Sequence, residues 1–386
     1  MVSRNYKFRL YPNHSQWKKL DNALDACRWV YNKMVGRTQN GFMSRNDLNY
    51  FLTELKEQEP WLYQYHSKML QMVSTQIAGA QKALVQLHKN GHRTGSLKFA
   101  RYLEYRTLTY NQSGFKIEKD ALHLTKIGKI KIIQHRLVPE NAEIKQIIIT
   151  KSKSGKWHAC VTYDVDTVLP KISLTKSVGI DVGVKNFAYD SNGFVTPNPL
   201  NLKKMLKPLA RIQKKIARRQ VGSNNHKKAL KWYQIIHERI KNRRRDFLHK
   251  ISSQYAKKYD VVFLERLQKL NMVRNHFMAQ KILDSGWGTF ANMLDYKCTL
   301  VEVPAKNTTI NCSRCGNAVP KSLVVRTHRC DVCGLVLDRD YNAAINILKK
   351  GLNIFNIKLP QELRELTPVE ISKRSRKQEE ATGLVW

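Results

Sequence analysis

Two cysteine pairs constrain this chain more than any other feature of its sequence. Cys312-Ser-Arg-Cys315-Gly and Cys330-Asp-Val-Cys333-Gly are separated by fourteen residues, close to the spacing of four-cysteine zinc sites. A glycine after each second cysteine suits the tight turns that present thiolates to a tetrahedral ion. Redox chemistry is the other use of such a pair, but two matched pairs fit structural Zn²⁺ better. Four thiolates close the coordination sphere, so this metal organises a loop and leaves hydrolysis to another site. The other cysteines, Cys27, Cys160 and Cys298, are scattered among apolar neighbours and do not make a disulfide framework.

Charge narrows the partner. Lys and Arg number 68 against 30 Asp and Glu, a formal net charge of +38, which calls for a polyanion. A membrane surface would attract the same charge, but no uncharged apolar run approaches the ~18 residues that span a bilayer. Nucleic acid is therefore expected. Lys214-Lys215, Arg218-Arg219, Lys227-Lys228 and Arg243-Arg-Arg245 would neutralise phosphates without reading sequence; a solvated helical face is the plainer account of the same run. The first twelve residues alternate apolar and basic like a strand and lack a secretory signal, which predicts a cytoplasmic protein.

At roughly 150 residues per domain, 386 residues suggest two or three domains. Residues 15–92 read as helical: Met69, Leu70, Val73, Ile77, Ala80, Leu84 and Leu87 recur at steps of three and four. Residues 96–166 turn to β-branched and aromatic runs broken by Gly and Ser, a small antiparallel barrel or sheet. Beyond a boundary near Pro170, three short strands over 177–196 form a meander. A basic helical hairpin over 203–258 follows, then a strand ending at Glu265, a helix near 280–298, a strand over 299–303, the cysteine segment and a helix from Asp338-Arg-Asp340. The tail from 351 is mixed in charge and reads as partly disordered. Trp17, Trp29, Tyr31, Trp61, Tyr63 and Tyr65 could stack on bases, but core packing is the commoner use of such residues.

Asp181 ends the first apolar strand between Gly179 and Gly183, Glu265 ends a distant one, and Asp340 opens a helix. Taken singly these are a turn residue, a solvated strand end and a helix cap. Taken together, their order follows the RNase H-like architecture, in which adjacent parallel strands bring carboxylates to metal ions roughly 3.5–4 Å apart for phosphodiester hydrolysis. Asp338, two residues before Asp340, reads as a cap or as an outer-sphere neighbour of the metal ligands. Asn342 would either hydrogen-bond a metal ligand or serve a local turn.

Several segments carry a resemblance: Lys7-Phe-Arg-Leu-Tyr-Pro12, Gly179-Ile-Asp-Val-Gly-Val-Lys-Asn186, Phe263-Leu-Glu-Arg-Leu267, residues 287–297, the two cysteine knuckles and Asp338-Arg-Asp-Tyr-Asn-Ala-Ala344. From Tyr6 to about Leu348 the chain resembles the TnpB family, transposon-encoded RNA-guided nucleases related to compact type V CRISPR effectors. The resemblance implies a mixed α/β and β multidomain protein. A wedge-like β-barrel domain would take 1–14 and 95–170, a helical recognition domain 15–94, and an RNase H-like RuvC nuclease 171–305 with 338–352. An inserted zinc ribbon would take 306–337 and a tail 353–386. It further implies Asp181, Glu265 and Asp340 as catalytic ligands of two Mg²⁺ ions, or of Mn²⁺ in their place, with Asp181 bridging. Cys312, Cys315, Cys330 and Cys333 would hold Zn²⁺. Its partners would be a guide RNA from the element's end and target double-stranded DNA beside a short flanking motif. Guided binding without cutting, a transposase and an unguided nuclease are the competing expectations. Arg266 departs from the family, replacing an acid often found after the glutamate, and the route from Cys298 to Val303 is shorter than usual.

Overall fold

The computed structural model describes residues 2–39, 41–136, 142–165, 176–322 and 324–355. Two compact units divide the chain, Met1–Leu169 and Pro170–Trp386.

The first unit joins three helices to one sheet. After β1 (Val2–Tyr11) come α1 (His14–Thr38), α2 (Arg45–Gln58) and α3 (Ser67–Lys89). Capping boxes start α1, through Asn13 and Gln16, and α2, through Ser44 and Asp47. Leu20, Leu24, Cys27, Val30 and Met34 line one face of α1 and are buried, joining Met69, Leu70, Val73 and Ile77 of α3 in a core shared with the sheet. The strands β2 (Thr107–Asn111), β3 (Phe115–Glu118), β4 (Ala121–Leu124), β5 (Gly128–Ile133), β6 (Glu143–Lys151) and β7 (Trp157–Val165) pair with β1 in the order β2-β6-β7-β1-β5-β4-β3. β2 and β3 stand at opposite edges, yet only residues 112–114 connect them. Four peptide steps reach about 14 Å, whereas the edges of a flat seven-stranded sheet lie about 29 Å apart. The sheet must therefore curl until its edges approach, so the expected barrel takes the form of a curled antiparallel sheet closed by a connection and not by hydrogen bonds between β2 and β3. Of the aromatics noted in the sequence, Trp29, Tyr31, Trp61 and Tyr65 pack against the core, while Tyr63 is exposed and Trp17 stands edge-on to Trp157.

The second unit is built on five strands: β8 (Ser177–Val182), β9 (Asn186–Asp190), β10 (Val195–Pro197), β11 (Val261–Glu265) and β12 (Thr299–Val303). Their order is β10-β9-β8-β11-β12. β8, β9 and β10 form the antiparallel meander, and β11 pairs in parallel with both β8 and β12. This mixed sheet has the meander and the parallel pairing of the strands of Asp181 and Glu265 that the sequence led one to expect. Between β10 and β11 lie α4 (Leu206–Ala217) and α5 (Asn224–Lys258), the basic hairpin, α5 being capped by Ser223. Lys214, Lys215, Arg218, Lys227, Lys228, Arg243 and Arg245 are exposed on it, but Arg244 turns inward to an ion pair with Asp284 at 2.6 Å.

Instead of the single helix expected near 280–298, the chain forms a short α6 (Lys269–Met272), then α7 (His276–Ser285) and α8 (Trp287–Asp295). The break is Gly286, whose φ of +71° is left-handed and ends α7. The cysteine segment folds as a two-stranded ribbon, β13 (Thr327–Arg329) and β14 (Val336–Asp338). The last helix, α9 (Arg339–Ile354), runs two residues past the expected start of the tail, because Leu352 is still buried against the sheet. The disorder expected further on falls outside the described residues. Among those described, no helix is long and apolar enough to cross a membrane.

Candidate functional site

Register brings the first two acids together. Ile180 of β8 pairs with Leu264 of β11, so Asp181 and Glu265 stand level one residue further on, pointing to the same face of the sheet. Alternation identifies that face. Val178, Ile180, Val262 and Leu264 point into the core made with Leu248, Tyr255, Trp287 and Phe290, which leaves Gly179, Asp181, Phe263 and Glu265 facing α9.

Two glycines allow α9 to lie directly on this face. A Cβ at Gly179 would sit 2.3 Å from the Ala344 carbonyl oxygen, and one at Gly351 would sit 2.1 Å from the Phe263 ring. α9 thus crosses β8 at Ala344. Asp340 stands one helical turn before Ala344, and its charge acts on the Asp181 carboxyl. Asp338 is the N-cap, its Oδ1 accepting from the amides of Asp340 at 2.8 Å and Tyr341 at 3.3 Å, which is the capping role expected for it.

Gathered carboxylates repel. Burial, then the charges of Asp340 and Glu265, push the Asp181 carboxyl well above the usual range, with Arg339 pulling the other way. Burial likewise raises Glu265, opposed by a hydrogen bond from Thr308 and by the charge of Lys350. Burial and the neighbouring Asp340 raise Asp338. Such a cluster stores protons until a cation arrives. Two guanidinium groups already offset part of it: Arg339 lies 3.0 Å and Arg326 3.4 Å from the buried Asp340 carboxylate. A set of hard oxygen donors held together against repulsion fits divalent cations such as Mg²⁺.

The four cysteines converge as well. Their sulfur atoms all lie within 4.8 Å of one another, with Cys312 and Cys333 3.6 Å apart and Cys315 and Cys330 3.5 Å apart. Zn–S bonds of about 2.3 Å in a tetrahedron require edges of about 3.8 Å, so the thiols fit that ion. The amides of Arg314 and Cys315 point at Cys312 Sγ, and those of Val332 and Cys333 at Cys330 Sγ. Burial opposes ionisation at Cys330, but those amides together with hydrogen bonds from the Cys315 and Cys333 side chains bring the thiol down to about 7.

Sequence reasoning missed four residues: Arg326, Arg339 and Thr308, which contact the acids, and Asn346, which holds the Thr308 carbonyl. Arg339 had a signal, as the middle of Asp338-Arg-Asp340, but the other three approach only through the fold. Asn342 does not hydrogen-bond an acid. Its Oδ1 accepts from the Ser313 amide at 2.8 Å and its Nδ2 donates to the Asn311 carbonyl at 2.9 Å.

Comparison with known proteins points one way. A family model described as "Probable transposase" matches residues 158–276, and one described as "Cas12f1-like, TNB domain" matches 287–347. A third, described as "Helix-turn-helix domain", matches 1–45, where β1 precedes α1. A Streptomyces pristinaespiralis protein named "Putative RNA-guided DNA endonuclease" is 32% identical over 372 residues, covering 91% of this chain and 90% of its own length. "Putative RNA-guided DNA endonuclease InsQ" of Escherichia coli K12 is 27% identical over 379 residues, covering 90% and 92%. Among solved structures, the mini-RNA-guided endonuclease CRISPR-Cas phi3 overlaps 91% of this chain and 92% of its own at 8% identity and a TM-score of 0.49.

Proposed function

The chain belongs to the TnpB family, and from that premise we propose that it is an RNA-guided DNA endonuclease. Its partners are a structured RNA from the end of its transposable element and target double-stranded DNA beside a short flanking motif. Asp181, Glu265 and Asp340 would hold the catalytic Mg²⁺, and Cys312, Cys315, Cys330 and Cys333 would hold a structural Zn²⁺. The reading is supported above all by one observation: β8 and β11 stand in register, so that Asp181 and Glu265 lie level on the face of the sheet against which α9, the helix that carries Asp340, packs.

When bound, the catalytic ions stabilise the attacking and leaving oxygens of an in-line displacement at phosphorus. The protein's own part is positional. β8 and β11 fix two carboxylates in register, and α9 brings the third from the opposite side. Arg339 and Arg326 pair with the Asp340 carboxylate. Zinc, enclosed by four thiolates, holds the ribbon that leads into Asp338 and α9. The exposed Lys and Arg of α4 and α5 contribute charge for backbone phosphates, and their binding weakens steeply with salt.

The test is co-purification with RNA from the chain's own locus, followed by incubation with Mg²⁺ and plasmid carrying a guide-matched target beside a randomised flank. Linear plasmid should require guide and metal, be enriched for one flank, and fall at least ~10³-fold in Asp181→Ala. Joining of DNA ends without a guide would favour the transposase description of the matching family model. Guide-dependent binding without cutting would favour a silent DNA-binding role.

A further inference from the structure

The segment linking β12 to the first zinc knuckle, residues 304–313, is fastened along its length to α9. Three side chains at helical steps of four do this. Lys350 Nζ donates to the carbonyls of Pro304, at 3.2 Å, and Lys306. Asn346 Nδ2 donates to Thr308 O at 2.8 Å and Asn311 O at 2.7 Å, and Asn342 holds Asn311 and Ser313 as described above. Residues four apart lie on one helix face, so α9 grips this turn-rich strap with one edge while its other side packs on the sheet.

Inside that strap Thr308 is 2% exposed, and its hydroxyl donates to Glu265 Oε1. Among the described residues, the one other acceptor of this hydroxyl is Ala305 O at 3.0 Å. One O–H carries one proton, and a carboxylate is the stronger acceptor. Asn346 fixes the Thr308 carbonyl, so the backbone that carries the hydroxyl is held beside the acid.

Resting on the metal reading of the acids, we propose that Thr308 is a positioning residue: clamped by Asn346, it fixes the rotamer of Glu265 so that the free carboxylate oxygen faces Asp181 and Asp340. Outer-sphere groups of this kind set metal affinity by about 10- to 100-fold. Because the strap runs straight into Cys312, the same contact ties the ribbon to the geometry of the acids.

Mn²⁺ binding to the zinc-loaded full chain, followed by the loss of the free-ion EPR signal, tests this without any cleavage step. Thr308→Val removes the hydroxyl at nearly constant shape and should weaken Mn²⁺ binding about 10-fold or more, with zinc content and melting temperature close to wild type. Thr308→Ser should restore the affinity. In guided cleavage, the Mg²⁺ concentration for half-maximal rate should rise in the Val variant while target binding stays constant. Wild-type affinity in Thr308→Val, or a Ser variant as weak as Val, overturns the proposal but leaves the metal reading intact. Mn²⁺ binding unchanged in Asp181→Ala overturns the metal reading, and this inference with it. If Thr308→Val does not fold, Thr308→Ala carries the same test.

Discussion

The two ligand clusters of the second unit are built by opposite means. The four cysteines come from residues 312–333, and each pair is closed by one tight turn whose amides already point at the sulfur. The three acids come from residues 181–340, and no local turn joins any two of them. The first two stand level because β8 and β11 are in register, and the helix that carries the third lies against the same face because two glycines let it approach. The difference teaches where each site is vulnerable: the thiolate site fails when a ligand is lost, whereas the acid site also fails when distant packing shifts by an ångström.

The largest break in this comparison is Cys330→Ser. Zinc per chain, measured by mass spectrometry or atomic absorption, should fall from one to none, and the ribbon should lose order by hydrogen exchange. Through the 304–313 strap, guided cleavage should drop more than ~10-fold. The reverse substitution, Asp181→Ala, should leave zinc at one per chain. Symmetric loss of both metals in both variants would mean that the sites are a single unit.

Gly351→Ala comes next in size. Its methyl group must displace the Phe263 ring that lies 2.1 Å away, and overpacking of this kind costs about 1–3 kcal/mol. Denaturant unfolding should show that loss, with weaker Mn²⁺ binding and unchanged zinc. Stability equal to wild type would show that α9 does not depend on this close approach.

The smallest effect concerns pH in metal-free protein. The Asp181 carboxyl is raised in the folded state, so folding holds a proton there that the unfolded chain has lost above about 4. Its contribution is therefore present at low pH and is lost as pH rises through the folded value. Asp181→Asn should remove this sensitivity and raise the metal-free melting temperature by a few degrees at neutral pH. Divalent cation should stabilise wild type but not the Asn variant. A variant that melts lower than wild type without metal would mean that the carboxylate is satisfied as it stands.

The same contrast explains what could be read from the sequence. The cysteine knuckles are local, so their spacing alone pointed to the ion. The strands over 177–196 and 261–265 were visible as apolar runs bounded by turns, and the order of elements around the acids was enough to suggest an RNase H-like sheet. Thr308 and Arg326 carried no signal, because each reaches an acid only through tertiary folding, from a segment with no periodicity. Asn342 was seen as a candidate for an acid contact, but helical geometry turns it toward the strap, on the same edge as Asn346 and Lys350. The break at Gly286 went unread because a lone glycine within an apolar helical pattern is usually tolerated. The curl of the first sheet, by contrast, follows from a connection only three residues long.

Crystals of the zinc-loaded chain soaked in Mn²⁺, with anomalous differences measured at the manganese and zinc edges, test the central claim most directly. The account predicts manganese density among Asp181, Glu265 and Asp340, a separate zinc peak among Cys312, Cys315, Cys330 and Cys333, and loss of the manganese alone in Asp181→Ala. Manganese bound away from the three acids, or retained after Asp181→Ala, would contradict it.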